Sequence, residues 1–191
     1  MEYPFEGGGL FNQIYPISSL PDLISDKGVA PLAYHLQSGQ SKLAYYYNGK
    51  IRIVPIGAND PVEPIELIVE NAHWNWVDLK FSQDGECLAF GYPDHNNEKG
   101  NFTVFNLNNN EITKIHLNSR SFSWNMQERL LAALSKGKDK MVITVFDSSL
   151  QKILEGEAPN DSRAVFWIDD QLMLLTEENY ERCVIYFTKF Q

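Results

Sequence analysis

The chain has 191 residues, of which 43% are hydrophobic and 13% aromatic, so general disorder is excluded and one well-buried core is expected. Its 16 basic and 25 acidic residues give a formal net charge of −9. This negative field repels a phosphate backbone, and no long basic run offsets it. We therefore expect no nucleic-acid partner.

The sequence also lacks the features of secreted and membrane-inserted chains. Residues 1–9 show no basic and apolar leader, and no apolar run approaches the roughly 20 residues that span a bilayer. Cys87 and Cys183 are interpreted as buried free thiols rather than as a disulfide. We expect a cytoplasmic protein without a membrane partner.

Aromatic residues recur along the chain in two interleaved series. Members of the first series are 43 residues apart, and members of the second are 41 apart. Each member lies in a short run of β-forming residues. A period of this length, built from short strands, is typical of β-propeller blades. The first series is Phe81, Trp124 and Trp167, and the second is Phe105, Phe146 and Phe187. We assign the first series to equivalent positions of successive first strands, as core packing residues.

In chain order, the first repeat covers approximately residues 28–72 and the second covers 73–118. Each contains four short apolar or alternating runs between turn signals, as antiparallel strands would. Asn48-Gly49 and Asp84-Gly85 are hairpin signals, because glycine accepts a positive φ. The predicted strands are 32–36, 42–47, 50–54 and 65–69 in the first repeat, and 76–81, 87–92, 101–107 and 111–117 in the second.

The third repeat covers approximately residues 119–160 and the fourth covers 161–191. The third repeat again has four predicted strands, whereas the fourth has three. Its missing strand is the outer one, which suggests that another segment supplies it. The predicted strands are 121–124, 129–134, 141–146 and 151–154 in the third repeat, and 164–168, 172–176 and 183–187 in the fourth.

An apolar segment at residues 10–17 precedes the first repeat and has no partner there. We expect this N-terminal strand to complete the last blade, which would cover an exposed strand edge. The predicted fold is all-β: a single β-propeller domain over residues 1–191, with four four-stranded antiparallel blades. Four blades closing alone would give a monomer, and two chains forming an eight-blade ring would give a homodimer. The sequence leaves both open.

The hairpin of the second repeat carries a family resemblance. Residues 81–91, Phe-Ser-Gln-Asp-Gly-Glu-Cys-Leu-Ala-Phe-Gly, resemble the F-S-x-D-G-x-x-L-A hairpin of WD40-like and TolB-like propeller repeats. The resemblance covers one repeat well and the other three weakly. It implies the propeller fold and a tendency toward partner binding. Because the hairpin serves folding, it implies no catalytic residue.

No pattern in the sequence indicates a catalytic, cofactor or metal site. The histidines lack the spacing of zinc ligands, and no serine lies in a nucleophile elbow. We therefore expect no catalytic residue, no cofactor and no bound metal. The four histidines are His35, His73, His95 and His116.

Two surfaces are candidates for recognising a partner. The first surface is formed by the long polar connections between second and third strands, for which a solvated hairpin is the simpler alternative. An aromatic patch between the first two repeats is the second, with packing between blades as its alternative. The loop residues are Asp94, His95, Asn96, Asn97 and Glu98, with Glu177, Glu178 and Tyr180 in the fourth repeat, and the patch is His73, Trp74 and Trp76.

The function that these observations favour is a non-catalytic protein-binding or scaffold module of β-propeller type. The acidic surface favours a basic protein partner, whose binding should weaken as salt is added. Two alternatives remain. One is an enzyme whose site is assembled around the propeller axis, and the other is a structural subunit that self-assembles to complete a larger propeller.

Overall fold

The described part of the chain consists of β-strands, turns and short connections, with no helix among its residues and hence none able to cross a bilayer. It falls into two compact units, residues 1–75 and 76–191, which we treat separately. The single-domain organisation over 1–191 remains a prediction. The computed structural model describes residues 24–25, 28–29, 32–35, 41–56, 63–69, 77–92, 101–125, 129–168, 171–178 and 182–189.

The first unit contains a two-stranded ladder and one four-stranded antiparallel sheet. The predicted Asn48-Gly49 turn is present, with φ of 52° and 81°, the positive values that a two-residue hairpin turn of type I′ requires. The ladder is formed by β1 (Ile24–Ser25) and β2 (Gly28–Val29), and the sheet has the order β3 (Leu32–His35), β4 (Lys42–Tyr47), β5 (Lys50–Pro55) and β6 (Ile65–Ile68).

The second unit contains three antiparallel sheets, each a meander in which successive strands are neighbours. The second sheet is β7 (Asp78–Phe81), β8 (Cys87–Tyr92), β9 (Asn101–Asn106) and β10 (Glu111–Ile115). The third sheet is β11 (Ser119–Trp124), β12 (Leu131–Lys136), β13 (Met141–Phe146) and β14 (Lys152–Ala158). The fourth sheet is β15 (Ser162–Ile168), β16 (Gln171–Glu178) and β17 (Arg182–Lys189).

These sheets confirm the all-β prediction and the repeated meander. The last strand of the third sheet is longer than the predicted 151–154, because it pairs along the whole of β13 as far as Ala158 opposite Met141, with a register shift between Val145 and Phe146. The fourth sheet has three strands within the described residues. Residues 10–17, predicted to complete it, lie outside them, so this closure remains a prediction.

The registers place the first aromatic series at equivalent positions. Phe81 pairs with Leu88 and Trp124 pairs with Leu131, while Trp167 pairs with Leu172. The leucines have at most 1% of their surface exposed, as does Leu43 in the first unit. Phe81 and Trp124 are only half-buried. The fully buried position that repeats is therefore the leucine of the second strand. Of the aromatics predicted to be core packing residues, Trp167 is buried, Trp124 packs against the core while half-buried, and Phe81 is half-buried.

The second strand of the third sheet is buried on both faces because the second and fourth sheets pack against its two sides. In β12, the run from Leu131 to Leu134 is fully inaccessible to solvent, and this explains its continuous apolar sequence. Its side chains divide between two clusters. Leu131 and Ala133 pack with the second sheet, whereas Ala132 and Leu134 pack with the fourth. The third sheet is thus the shared layer of the second unit.

Side chains on neighbouring first strands join the second and third sheets. The Lys80 Nζ donates to the Phe122 carbonyl at 2.6 Å, and the Trp124 Nε1 donates to the Lys80 carbonyl at 3.1 Å. The Lys80 ammonium also lies 5.2 Å from the Phe122 ring centre, within the range of a cation–π contact. These reciprocal contacts explain why Trp124 lies at the junction, the boundary between the second and third sheets, rather than inside one sheet.

Hydroxyl groups join the third and fourth sheets. The Val165 amide donates to Ser121 Oγ at 3.3 Å, and the Trp167 amide donates to Ser123 Oγ at 3.2 Å. Both amides belong to β15, whose other edge pairs with β16. The serine side chains therefore satisfy backbone donors that the ladder leaves unused.

Candidate functional site

A cleft of about 140 Å³ opens between the second and third sheets, inside the second unit. It lies at the end of the strands where the first strand turns into the second and the third into the fourth. Its lining combines acidic, basic, hydroxyl, thiol, aromatic and aliphatic groups. The lining residues are Ser82, Cys87, Val104, Asn106, Glu111, Thr113, Trp124, Arg129, Ser148, Ser149 and Leu150.

The wall from the second sheet is the predicted Asp-Gly hairpin. Ser82 Oγ donates to Asp84 Oδ1 at 2.7 Å and accepts the Cys87 amide at 2.9 Å. The Glu86 amide donates to the same Asp84 oxygen at 2.9 Å, and Gly85 supplies the positive φ of 68° that the turn requires. The hairpin is therefore fixed by its own side chains, and it holds Ser82 and Cys87 in place at the cleft.

The wall from the third sheet begins at Arg129. Its guanidinium forms ion pairs with Asp84 and Glu86 on the opposite side of the junction. Burial raises the pKa of Asp84, but hydrogen bonds from the Glu86 amide and the Ser82 hydroxyl, together with Arg129, outweigh it and lower the pKa. Burial likewise opposes the charge of Arg129, yet the two carboxylates raise its pKa above the ordinary value. Asp84 and Arg129 are therefore both charged at neutral pH.

The third-to-fourth strand turn of the third sheet completes the cleft. Asp147 Oδ1 accepts the amides of Ser149 and Gln151, both at 2.9 Å, and the Leu150 amide donates to the Asp147 carbonyl at 2.9 Å. This arrangement places Leu150 at a φ of 59°. Its side chain packs against the apolar cluster between the two sheets. The turn thereby directs Leu150 into the junction and leaves Ser149 at the rim.

Backbone strain is concentrated at this cleft. Among the described residues, four other than glycine have a positive φ: Asn48, Asn110, Arg129 and Leu150. Asparagine tolerates this conformation well, whereas arginine and leucine adopt it at a cost of roughly 1 kcal/mol each. Both strained residues of the unfavourable types line the same cleft. Such strain persists where surrounding contacts over-determine the conformation, and it is concentrated at binding and active sites.

The charge of the cleft is negative. Two carboxylates surround the Arg129 guanidinium, and Glu111 adds another carboxylate to the lining. Burial and the charge of Asp84 raise the pKa of the Cys87 thiol, so the thiol stays protonated at neutral pH and is a weak nucleophile. Within the described ranges, no group of three or more histidine, cysteine, aspartate or glutamate side chains is placed to hold a metal ion.

The structure places few of the sequence-predicted site residues. The loop residues 94–98 and Tyr180, and the patch residues His73, Trp74 and Trp76, lie outside the described part of the chain. Glu177 and Glu178 end β16, where their backbones pair with Cys183 and Arg182, and their side chains are also outside the description. These predictions therefore stand untested. The strands that flank segments 93–100 and 179–181 end at Tyr92 and Glu178 and begin again at Asn101 and Arg182, at the opposite ends of their sheets to the turns around the cleft.

Sequence reasoning missed Arg129, Leu150 and Glu111 as site residues. A signal for the first was present: Arg129 lies 43 residues after Glu86, which is the period of the repeat. Residues one period apart occupy equivalent positions of neighbouring sheets, so opposite charges at this spacing indicate an ion pair across a junction. No comparable signal existed for Leu150, because its importance depends on a backbone conformation that leucine rarely adopts.

No protein-family model matches the chain, and no curated protein matches it. Solved structures do. The chain is similar to the β-propeller domain of the Trilobed protease from Pyrococcus furiosus, described as having an open velcro topology, with 21% identity and a TM-score of 0.59. It is also similar to Pyrococcus horikoshii acylaminoacyl peptidase (17%, 0.58) and to TolB from Acinetobacter baumannii (14%, 0.51).

These similarities cover most of this chain and a smaller part of each neighbour. They cover 84%, 84% and 92% of this chain, but 55% of the Trilobed protease propeller domain, 31% of the peptidase and 43% of TolB. The chain thus spans about a third to a half of the lengths of these structures. At such low identity the likeness concerns the fold alone, and it agrees with the repeated meander. The chain has a β-propeller fold.

Proposed function

We propose that the chain is a non-catalytic binding module of β-propeller type, WD40-like or TolB-like in its repeats, which recognises a protein partner through the cleft between its second and third sheets. The observation that carries this proposal is the coincidence of two strained residues, Arg129 and Leu150, at one cleft. Strain of this kind is retained where it positions groups for binding.

The construction of the cleft supports the same role. Its lining groups lie on turns that are fixed by hydrogen bonds at the ends of well-packed strands, which is the usual way in which a rigid scaffold presents a recognition surface. Its volume of about 140 Å³ is well below the roughly 300–1,000 Å³ of pockets that enclose a small-molecule ligand. A part of a larger partner, such as one side chain, matches this size better than a free cofactor.

Charge supports a basic protein as the partner. The chain has a formal net charge of −9, and the cleft itself is negative. Complementary charge accelerates association and selects partners, and salt weakens it. We expect a partner of high isoelectric point whose association rate falls as ionic strength rises. A cytoplasmic location is part of this proposal.

The test is affinity capture from a native lysate with two variants of the tagged full chain. Ser149→Trp fills the cleft from an exposed turn residue, and the matched variant replaces residues 94–98, between β8 and β9 in the sequence, by a Gly-Ser segment. We expect the partner to be lost with Ser149→Trp and retained with the loop variant, while both keep the wild-type melting temperature. The reverse pattern would move the binding surface to the 94–98 loop.

A second readout uses the thiol in the cleft. In a Cys183→Ser background, Cys87 is the one remaining cysteine, and its alkylation by iodoacetamide reports access to the cleft. Bound partner should slow this alkylation several-fold. Unchanged alkylation in the saturated complex would contradict binding at the cleft even if capture succeeds.

A further inference from the structure

We infer that the cleft receives a single basic side chain, a lysine or an arginine of the partner polypeptide, with the Glu111 carboxylate as its acceptor. This inference rests on the proposed function and specifies the chemistry of that site. Three independent properties of the cleft support it: its net charge, the state of Glu111, and the mixture of groups along its walls.

The net charge excludes an anionic ligand. Arg129 is the basic group of the lining, and Asp84 and Glu86 already neutralise it. Two carboxylates around one guanidinium leave one net negative charge, and Glu111 adds a second. A phosphate or carboxylate group would be repelled by this negative charge and would find Arg129 already neutralised. An ammonium or guanidinium group would be attracted.

Glu111 has the capacity to accept such a cation. One of its carboxylate oxygens, Oε2, accepts a hydrogen bond from the neutral side-chain amide of Asn109 at 3.0 Å. The Glu111 backbone amide donates to Asn109 Oδ1 at 3.0 Å. Among the described residues, no lysine, arginine or histidine forms an ion pair with it. The asparagine contacts fix the turn on which Glu111 lies, so the carboxylate is held at the cleft without being neutralised.

The walls match the rest of a basic side chain. Leu150 and Val104 provide aliphatic contact for a methylene stem, and Trp124 provides an aromatic surface suited to a cation. The hydroxyls of Ser148 and Ser149 lie at the rim as further acceptors. A divalent metal is a poorer match, since no three potential ligands of the described residues converge.

The test is an NMR titration of the ¹⁵N-labelled full chain with N-acetyl-arginine amide. The neutral probe is N-acetyl-citrulline amide, which has nearly the same shape without the charge. We expect the arginine probe to shift the indole N–H signal of Trp124 and the amide signals of Glu111 and Leu150, with millimolar affinity. The citrulline probe should bind at least tenfold more weakly.

Two variants with the same change in charge locate the acceptor. Glu111→Gln should weaken binding of the arginine probe about tenfold, and Glu157→Gln, at the far end of the third sheet, should leave it unchanged. Equal binding of both probes, or equal loss in both variants, would overturn the inference. So would shifts spread over the acidic surface rather than confined to the cleft.

Failure of this inference is distinguishable from failure of the proposed function. If Ser149→Trp abolishes capture of the partner but the arginine probe shows no Glu111-dependent binding, the cleft is the binding site and its ligand is not a basic side chain. If the probe binds as expected but capture is indifferent to Ser149→Trp, the pocket chemistry holds and the protein partner binds elsewhere.

Discussion

The second unit has two junctions between neighbouring sheets, which are built on the same repeat but are packed by different side chains. Between the third and fourth sheets, short serine side chains hydrogen-bond to the backbone of β15, and β11 packs extensively on that strand. Between the second and third sheets, the longer side chains Lys80 and Trp124 occupy the same layer, and β11 contacts β7 less. The first arrangement closes the junction, and the second leaves a polar cleft.

The difference shows how one repeated fold separates stability from recognition. Both junctions contain a buried apolar cluster, so both contribute to the core. The polar side chains between the first strands decide whether a junction is closed or contains a cleft. Short hydroxyls accompany a close approach of the strands, whereas the long side chains of Lys80 and Trp124 lie between them, and Trp124 and Arg129 line the space that remains. Five predictions test this comparison: four run from the largest expected effect on stability to the smallest, and the fifth is a pH dependence.

The largest effect is expected from the closed junction. Leu172 is fully buried there, so Leu172→Ala should lower the free energy of unfolding by about 3 kcal/mol, through lost burial and the cavity left behind. Urea denaturation measures the loss. The control is Ile153→Ala on the exposed strand β14, which should cost less than about 0.5 kcal/mol because Ile153 is 53% exposed. A loss below about 1 kcal/mol at Leu172 would contradict a tightly packed junction.

The second prediction concerns the sheet that both junctions share. A Cβ at Gly137 would lie 2.8 Å from the Lys140 carbonyl oxygen and 2.9 Å from Val142 Cγ2, in the turn that joins β12 and β13. Gly137→Ala should therefore cost about 2 kcal/mol in urea denaturation. Gly156→Ala, where a Cβ meets nothing within 4 Å, should be neutral or slightly stabilising. Equal costs would show that the Gly137 turn relaxes freely.

The third prediction isolates the serine contacts. Ser121→Ala removes the acceptor of the Val165 amide, so we expect a loss of about 1 kcal/mol and roughly fivefold faster hydrogen exchange at Val165. Native-state exchange followed by NMR provides the measurement. Ser148→Ala, at the open junction, should leave exchange at Val165 unchanged. If both variants accelerated it equally, the two junctions would not be independent.

The smallest effect on stability is expected at the open junction. Arg129→Gln removes ion pairs with Asp84 and Glu86 whose side chains are 31–45% exposed, and solvent screening limits the loss to below about 1 kcal/mol at neutral pH. Added salt should reduce this difference between variant and wild type. A loss above about 2 kcal/mol would mean that the cluster supports folding as strongly as the closed junction does.

The same pair gives a pH dependence. The pKa of Asp84 is lower in the folded state than its ordinary value of 3.8, so the unfolded state binds its proton first as the pH falls. The contribution of Asp84 to stability is therefore complete above about pH 5 and is lost as the pH falls through the folded pKa. The difference in stability between wild type and Arg129→Gln should shrink over that acidic range, as urea denaturation at several pH values will measure.

The sequence alone predicted the architecture well, because the architecture depends on local patterns. Asn48-Gly49 and Asp84-Gly85 indicated their turns through backbone preference, and the alternating runs indicated their strands. The position of the core was harder to predict from the sequence. Phe81 and Trp124 were expected to be core residues from their spacing, but the leucines opposite them are the fully buried residues, and Leu131 lies on a strand with sheets on both sides.

The cleft was beyond prediction for a different reason. Its groups come from the hairpin of one repeat and two turns of the next, and no short motif contains them. The contacts that build it do follow one rule: Lys80 with Phe122, Trp124 with Lys80, and Arg129 with Glu86 are separated by 42, 44 and 43 residues. Comparing residues one repeat apart would have identified the ion pair, though not the strain at Leu150.

The serine hydroxyls on β11 also bear on how the chain is made. Synthesis proceeds from the N-terminus, so the third sheet, complete at Ala158, leaves the ribosome before β15 does. Ser121 and Ser123 lie two residues apart on its first strand, which is the spacing of the Val165 and Trp167 amides in β15. We expect the finished sheet to favour one register of the next, because a one-residue slip of β15 would lose both hydrogen bonds.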